Sequence, residues 1–272
     1  MVDDVCMHPW KYYTEPFKII DGLYYVGNTE VSSYLIDTGD GLILHDTAFP
    51  QTGYLLLESI RRLRFDPADI KYIIHSHAHY DHMGGTKAIT ELTGAKTFLG
   101  RDDVPILKLR KDLTWANEYG VEFFESFDVD YELSDNDHIK LGEVDIKCVH
   151  IPGHTAGSFS YFFELRNNNV TYRVGTHGGP GLNTLTSDYI RQYGLSLESR
   201  KNYLSSMEKL ANEKVDIFIG IHPAQSKIFE KKARCFQGRN AFTDSDEWHL
   251  FLESMKKAAK SIWYGDVGGD TL

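Results

Sequence analysis

The sequence predicts an α/β fold in which sheets are covered by helices within one domain spanning residues 1–272, and three observations carry that expectation. Strand-like hairpins alternate with strand–helix units along the chain. No repeat or low-complexity linker interrupts them. The 272 residues, 42% hydrophobic and 13% aromatic, are enough to bury a substantial core.

The elements follow in order. Apolar stretches at 17–20, 24–26, 33–36 and 42–44 are separated by the turn signals Asp21-Gly22 and Gly39-Asp40-Gly41, which reads as an antiparallel meander. Residues 51–64 place Leu55, Leu56, Ile60 and Leu63 at helical spacing, with Arg61, Arg62 and Arg64 in the last turn and Phe65-Asp66-Pro67 as the stop. A buried strand, Tyr72-Ile73-Ile74, runs directly into His75-Ser76-His77-Ala78-His79-Tyr80-Asp81-His82. A helix is expected at 86–93 and a strand at 96–99, followed by an irregular aromatic stretch at 104–127. Residues 145–151 read as a strand ending in Pro152-Gly153-His154-Thr155. A hairpin around Asn167-Asn168-Asn169 joins 159–165 to 170–174. A helix at 197–212, an apolar strand at 215–221 ending in His222-Pro223, and a final amphipathic helix at 244–263 complete the pattern.

Composition excludes several function classes. A net charge of −10 and a pI near 5.6 repel phosphate backbones, so a small-molecule substrate is expected rather than nucleic acid. The short basic run Lys231, Lys232, Arg234 reads as a solvated face. Cys6, Cys148 and Cys235 are scattered and form no CxxC pair, which suggests free thiols in a reducing compartment. No apolar run reaches membrane-spanning length, and the first residues lack an apolar signal core. The expectation is a cytoplasmic protein; a chain from which a signal peptide had been trimmed would read the same. Oligomeric state is left open.

The histidines carry the chemistry. A lone histidine is usually a surface residue or a hydrogen-bonded core residue, and His8, His138 and His249 are read that way. The cluster differs. In an extended segment, His77 and His79 point to the same side and can share a metal ion, while Asp81 and His82 on the next turn face a neighbouring site. His77, His154 and His222 each follow an apolar strand, and three strand ends can converge on one sheet edge. Imidazoles with one carboxylate and no thiolate suit zinc, and also manganese, iron or cobalt. Two groups of three ligands would leave the open positions that catalysis needs.

His77-Ala-His79-Tyr-Asp81-His82, followed by Gly84-Gly85, resembles the HxHxDH signature of the metallo-β-lactamase superfamily, and Pro152-Gly153-His154-Thr155 and Gly220-Ile221-His222-Pro223 resemble its later ligand motifs. The pattern is most similar to the lactamase subclass whose two zincs are held by histidines and one aspartate without cysteine. The resemblance implies an αβ/βα sandwich, two mixed sheets packed face to face with helices outside. It also implies two Zn²⁺ ions per chain: His77, His79 and His154 on the first, Asp81, His82 and His222 on the second. Many relatives place a bridging aspartate after a later strand, whereas here that strand ends in Gly175-Thr176-His177-Gly178-Gly179-Pro180. This departure argues against glyoxalase II and the tRNA-processing nucleases. His177 either lines the pocket or is a hydrogen-bonded loop histidine. Thr176 is either within reach of both ions or turned into the core.

The implied reaction is hydrolysis of a carbonyl substrate, a β-lactam-type amide, by hydroxide that zinc generates at neutral pH. Asp81 would hold the second zinc and orient the nucleophile. A lactone, ester or thioester is the alternative on the same site; an iron-dependent redox enzyme or a non-catalytic metal-binding protein fits less well. Asp46, at the end of an early strand, is a candidate to fix a ligand histidine by a hydrogen bond, or else caps a turn. Tyr80, His75 and the 115–127 aromatics either shape the pocket or pack the core.

Overall fold

The computed structural model describes residues 1–167, 169–235 and 240–266, excepting the side chains of 264–266. A short helix α1 (Asp4–Met7) precedes strands β1 (Phe17–Ile20), β2 (Leu23–Tyr25), β3 (Tyr34–Asp37) and β4 (Leu42–His45), which pair antiparallel in sequence order. Strand–helix units then extend the sheet. Helix α2 (Gly53–Arg62) returns the chain to β5 (Ile70–Ile74), which lies parallel to β4. The helical turn α3 (Tyr80–Met83) and helix α4 (Thr86–Thr93) lead to β6 (Lys96–Gly100), and α5 (Val104–Lys108) precedes β7 (Tyr131–Leu133), both strands again parallel. The seven strands lie in the order β1 to β7.

A second sheet follows. Strands β8 (His138–Leu141), β9 (Val144–His150), β10 (Phe159–Asn167) and β11 (Val170–His177) pair antiparallel. Helices α6 (Ser187–Tyr193) and α7 (Glu198–Leu210) cross to β12 (Ile217–Gly220), which is parallel to β11, and α8 (Ile228–Arg234) and α9 (Glu247–Asp266) complete the described chain.

Strand periodicity explains the layering. Successive side chains face opposite sides of a strand. Tyr34 and Ile36 therefore enter the core between the sheets, with Phe159, Tyr161 and Phe163 opposite them, while Leu35 meets the outer layer of Leu56, Ile60 and Ile89 from α2 and α4. On the other flank, Phe162 and Phe218 pack under Tyr203, Met207 and Trp248 from α7 and α9. The result is helix, sheet, sheet, helix, the sandwich the sequence implied. No helix among the described residues is long and apolar enough to cross a membrane.

Two parts of the sequence reading change. Strands β7 and β8 and helices α1, α6 and α8 were not legible, being short or irregularly patterned. The basic run is not wholly solvated: Lys231 is buried, its Nζ paired with Glu247 and donating to Phe218 O, whereas Arg234 is exposed. The β10–β11 hairpin forms, with Asn168 outside the described residues. The three cysteines are free.

Candidate metal centre

Parallel strands deliver their C-terminal ends to the same edge of a sheet, and here those ends carry the candidate residues. Asp46 follows β4, the His75–His82 segment follows β5, His154 lies on the β9–β10 loop and His222 follows β12. Two groups result. His77, His79 and His154 form one; Asp81, His82 and His222 form the other, and within each group the potential ligand atoms lie within 4.8 Å of one another.

Hydrogen bonds fix which nitrogen faces inward. His154 Nδ1 donates to Gly181 O (2.9 Å), and His222 Nδ1 donates to Glu30 O (2.9 Å). His82 Nδ1 donates to Asp46 Oδ2 (2.9 Å). Ser76 Oγ donates to the same oxygen (2.7 Å) and so accepts from His77 Nδ1 (3.0 Å). A carbonyl or carboxylate only accepts, so each of these rings carries a proton on Nδ1 and turns Nε2 toward the group.

The donor set fits a metal. His77 Nε2 is buried and has no hydrogen-bond partner among the described residues, a costly state for a nitrogen lone pair unless a cation meets it. His79 Nδ1 and His154 Nε2 face each other at 3.2 Å. In the second group, His82 Nε2, His222 Nε2 and Asp81 Oδ2 form a triangle with sides of 3.3, 3.3 and 3.5 Å. The edge of a tetrahedron with ligand bonds of about 2.0–2.1 Å is roughly 3.3 Å, so the triangle matches one face of a zinc site.

The electrostatics agree. Burial and the surrounding imidazoles hold His77 and His79 well below the ordinary histidine value and lower His154 to about 4, so these rings are neutral at pH 7. Burial, together with His82, also lowers His222. His82 is the exception. Burial opposes its charge, but Asp81 and Asp46 outweigh that and push it up to about 10. Without a metal, a proton on His82 serves as the cation between the two carboxylates. Burial likewise opposes ionisation of Asp81 and Asp46, yet the neighbouring histidines hold both below the usual carboxylate range.

The remaining candidates separate. Asp46 does bond a candidate ligand, His82, as described, and also accepts from Ser76 N (2.7 Å). His177 does not line the site: its Nε2 lies 3.3 Å from Met207 Sδ, and its ring packs against Trp248 and Phe251 in the outer layer. Thr176 is buried, and its Oγ1 accepts from Tyr161 N (3.2 Å). His75 is core, bonded to Phe98 O and Thr86 Oγ1 and stacked on Phe127. Of the aromatic stretch, Trp115 lies against His79 with ring centroids 5.8 Å apart, and burial, with the Asp81 carboxylate nearby, raises the Tyr119 phenol above its ordinary value. A cavity of about 510 Å³ opens beside His79 and His154, walled by Pro105, Ile106, Leu113, Tyr189 and Leu195. The sequence reading missed Asp103, a fully buried carboxylate behind these loops whose pKa burial raises to about 6.

A sequence profile described as the metallo-beta-lactamase superfamily matches residues 26–222. The chain belongs to the metallo-beta-lactamase superfamily. Its fold is that of the superfamily. BJP-1, a subclass B3 metallo-beta-lactamase of Bradyrhizobium japonicum, superposes with a TM-score of 0.85 and 28% identity, covering 96% of this chain and 98% of that one. A beta-lactamase-like protein 2 homolog of Caenorhabditis elegans is 28% identical over 203 residues, 74% of this chain and 58% of the relative. An N-acyl homoserine lactonase of a Bacillus species is 25% identical over 185 residues, 58% of this chain and 64% of the lactonase. The chain thus spans less than two-thirds of the length of these two relatives.

Proposed function

We propose that this chain is a zinc-dependent hydrolase that cleaves a carbonyl substrate, with a β-lactam-type amide as the first reading. The observation that carries it is the pair of three-residue groups in which four of the five histidines are aimed inward by a hydrogen bond on Nδ1. His77, His79 and His154 would hold one zinc, and Asp81, His82 and His222 the other. Bound there, the ions would supply Lewis acidity for a carbonyl oxygen and lower the pKa of water to about 7.

The chain's own groups do the positioning. Asp81 would orient the nucleophile, while Trp115 covers His79. Asp46 holds both His82 and, through Ser76, His77, so one carboxylate sets two ligand rings. The likeness to a subclass B3 lactamase supports the amide reading. The apolar cavity and the lactonase likeness favour a second, hydrolysis of a lactone, ester or thioester with an apolar arm. We read 1–272 as one domain because strands from both halves of the chain share the inter-sheet core.

Turnover of a chromogenic cephalosporin, an acyl lactone and a thioester, with elemental analysis of protein purified without added metal, tests both readings. About two zinc ions per chain are expected. Iron in their place with redox activity, or zinc with no turnover of any of the three, would overturn the hydrolase reading.

A further inference from the structure

The first group draws its members from both sheets. His77 and His79 follow β5 of the larger sheet, and His154 lies between β9 and β10 of the smaller one. A metal tolerates errors of only about 0.2 Å in its ligand distances, so something must fix one loop against the other.

Asp103 sits between them. It follows β6, the neighbour of β5, and is fully buried. Its Oδ2 accepts from Ala78 N (2.9 Å), the residue between His77 and His79, and from Thr155 Oγ1 (2.8 Å), the residue after His154. Its Oδ1 accepts from Gly157 N (2.7 Å). Two glycines permit the approach. A Cβ on Gly157 would lie 2.4 Å from Asp103 N, and one on Gly100 would lie 2.0 Å from Gly157 O. The sandwich is also joined here by Phe159 N donating to Ser76 O (2.9 Å) and Tyr161 Oη donating to His75 O (2.6 Å), but neither of these bonds reaches the His154 side of the loop.

We propose that Asp103 is the positioning residue of the first histidine group, clamping the His77–His79 loop to the His154 loop so that the three rings converge. It is the counterpart of Asp46. The strands on either side of β5 each lead into a buried carboxylate, Asp46 gripping Ser76 and His82 and Asp103 gripping Ala78 and the opposite sheet. The clamp acts through backbone and threonine donors and touches neither substrate nor metal. The inference rests on reading the two groups as metal sites.

The test is cobalt(II) titration of metal-free protein, followed by d–d absorption, in two backgrounds. His222→Ala leaves the first group intact, and His79→Ala leaves the second. Asp103→Asn and the milder Thr155→Val are introduced into each. The expected result is a roughly 10–100-fold weaker first group for Asp103→Asn, the range for lost partners of metal-ligating groups, with a smaller loss for Thr155→Val and the second group within about threefold. Leu252→Ala, a core truncation on the buried face of α9, controls for general destabilisation and should leave both affinities unchanged. Unchanged first-group affinity in Asp103→Asn overturns the clamp. So does an equal loss at both groups, or an equal loss in Leu252→Ala. Failure of either single-group background to bind cobalt at all instead overturns the metal-site reading itself.

Discussion

Asp46→Asn exchanges one carboxylate oxygen for an amide nitrogen at nearly constant volume. The backbone is not disturbed, because Asp46 has a φ of +57°, a conformation asparagine adopts readily and alanine does not. The asparagine oxygen can still accept from Ser76 N. Its amide then faces two donors, the Ser76 hydroxyl and His82 Nδ1–H, which both now bond the same carboxylate oxygen. Hydrogen bonds to a charged group contribute roughly 1.5–3 kcal/mol each, and the serine hydroxyl can rotate to recover part of its loss. Urea unfolding of the metal-free variant should therefore show a loss of about 2–5 kcal/mol. His82 would no longer be held with its lone pair on Nε2, so calorimetric zinc titration should show the second group weakened roughly 10–100-fold. The first group should weaken less, since Asp46 reaches His77 only through Ser76. A variant with wild-type zinc affinity at both groups and stability within about 0.5 kcal/mol of wild type would refute the reasoning.

Three further outcomes follow from the same structure. His79→Ala or Asp81→Ala should leave a folded protein yet remove turnover; retention of more than about a tenth of wild-type kcat, a barrier change under roughly 1.4 kcal/mol, would contradict catalysis through these residues. Lys231→Ala strands the half-buried Glu247 carboxylate without its partner and should cost about 2–4 kcal/mol by urea unfolding; a change within about 0.5 kcal/mol would show the pair to be irrelevant to stability. Asp103 has a folded pKa of about 6, above its ordinary value of 3.8, so its contribution is complete below 3.8 and lost as pH rises through 6. A displacement of about two units is worth roughly 3 kcal/mol, and the stability of metal-free wild type relative to Asp103→Asn should fall by that order between pH 4 and pH 7. A constant difference across that range would show that Asp103 is not displaced.

The parts legible in the sequence were those with a local signal. The HxHxDH run, the strand before it and the two later strand-end histidines could be placed because apolar runs and ligand spacing are written consecutively in the chain. Helix α4 was legible over its full length, since Ile89 recurs with its neighbours at helical period and Gly94 ends it. Strand β7 was not, because Tyr131 and Glu132 are exposed and only Leu133 is buried, which leaves no alternation to read. Lys231 was misassigned for a different reason. Its partner, Glu247, opens α9 across a segment whose path the sequence does not specify, so three basic residues in four positions looked like surface.

The candidate site shows the same division at higher resolution. Each candidate histidine was identifiable, but of the groups that aim them only Asp46 was, because the others are carbonyls and a hydroxyl brought in by tertiary contact: Gly181 O, Glu30 O, Ser76 Oγ. Strand β11 is the clearest case. Val170 to Val174 alternate apolar and polar, but Gly175-Thr176-His177 carry no apolar residue to show that the alternation runs on, so Thr176 and His177 were equally open to a place at the centre. Strand geometry then allows only one of the pair to face inward. Val174 belongs to the inter-sheet core, which puts Thr176 on that face and sends His177 outward to Met207, Trp248 and Phe251. The one histidine of this strand end is thereby removed from the candidate metal centre by pleat alone, and the second group is left to Asp81, His82 and His222, whose 3.3–3.5 Å triangle already has the dimensions of a zinc face.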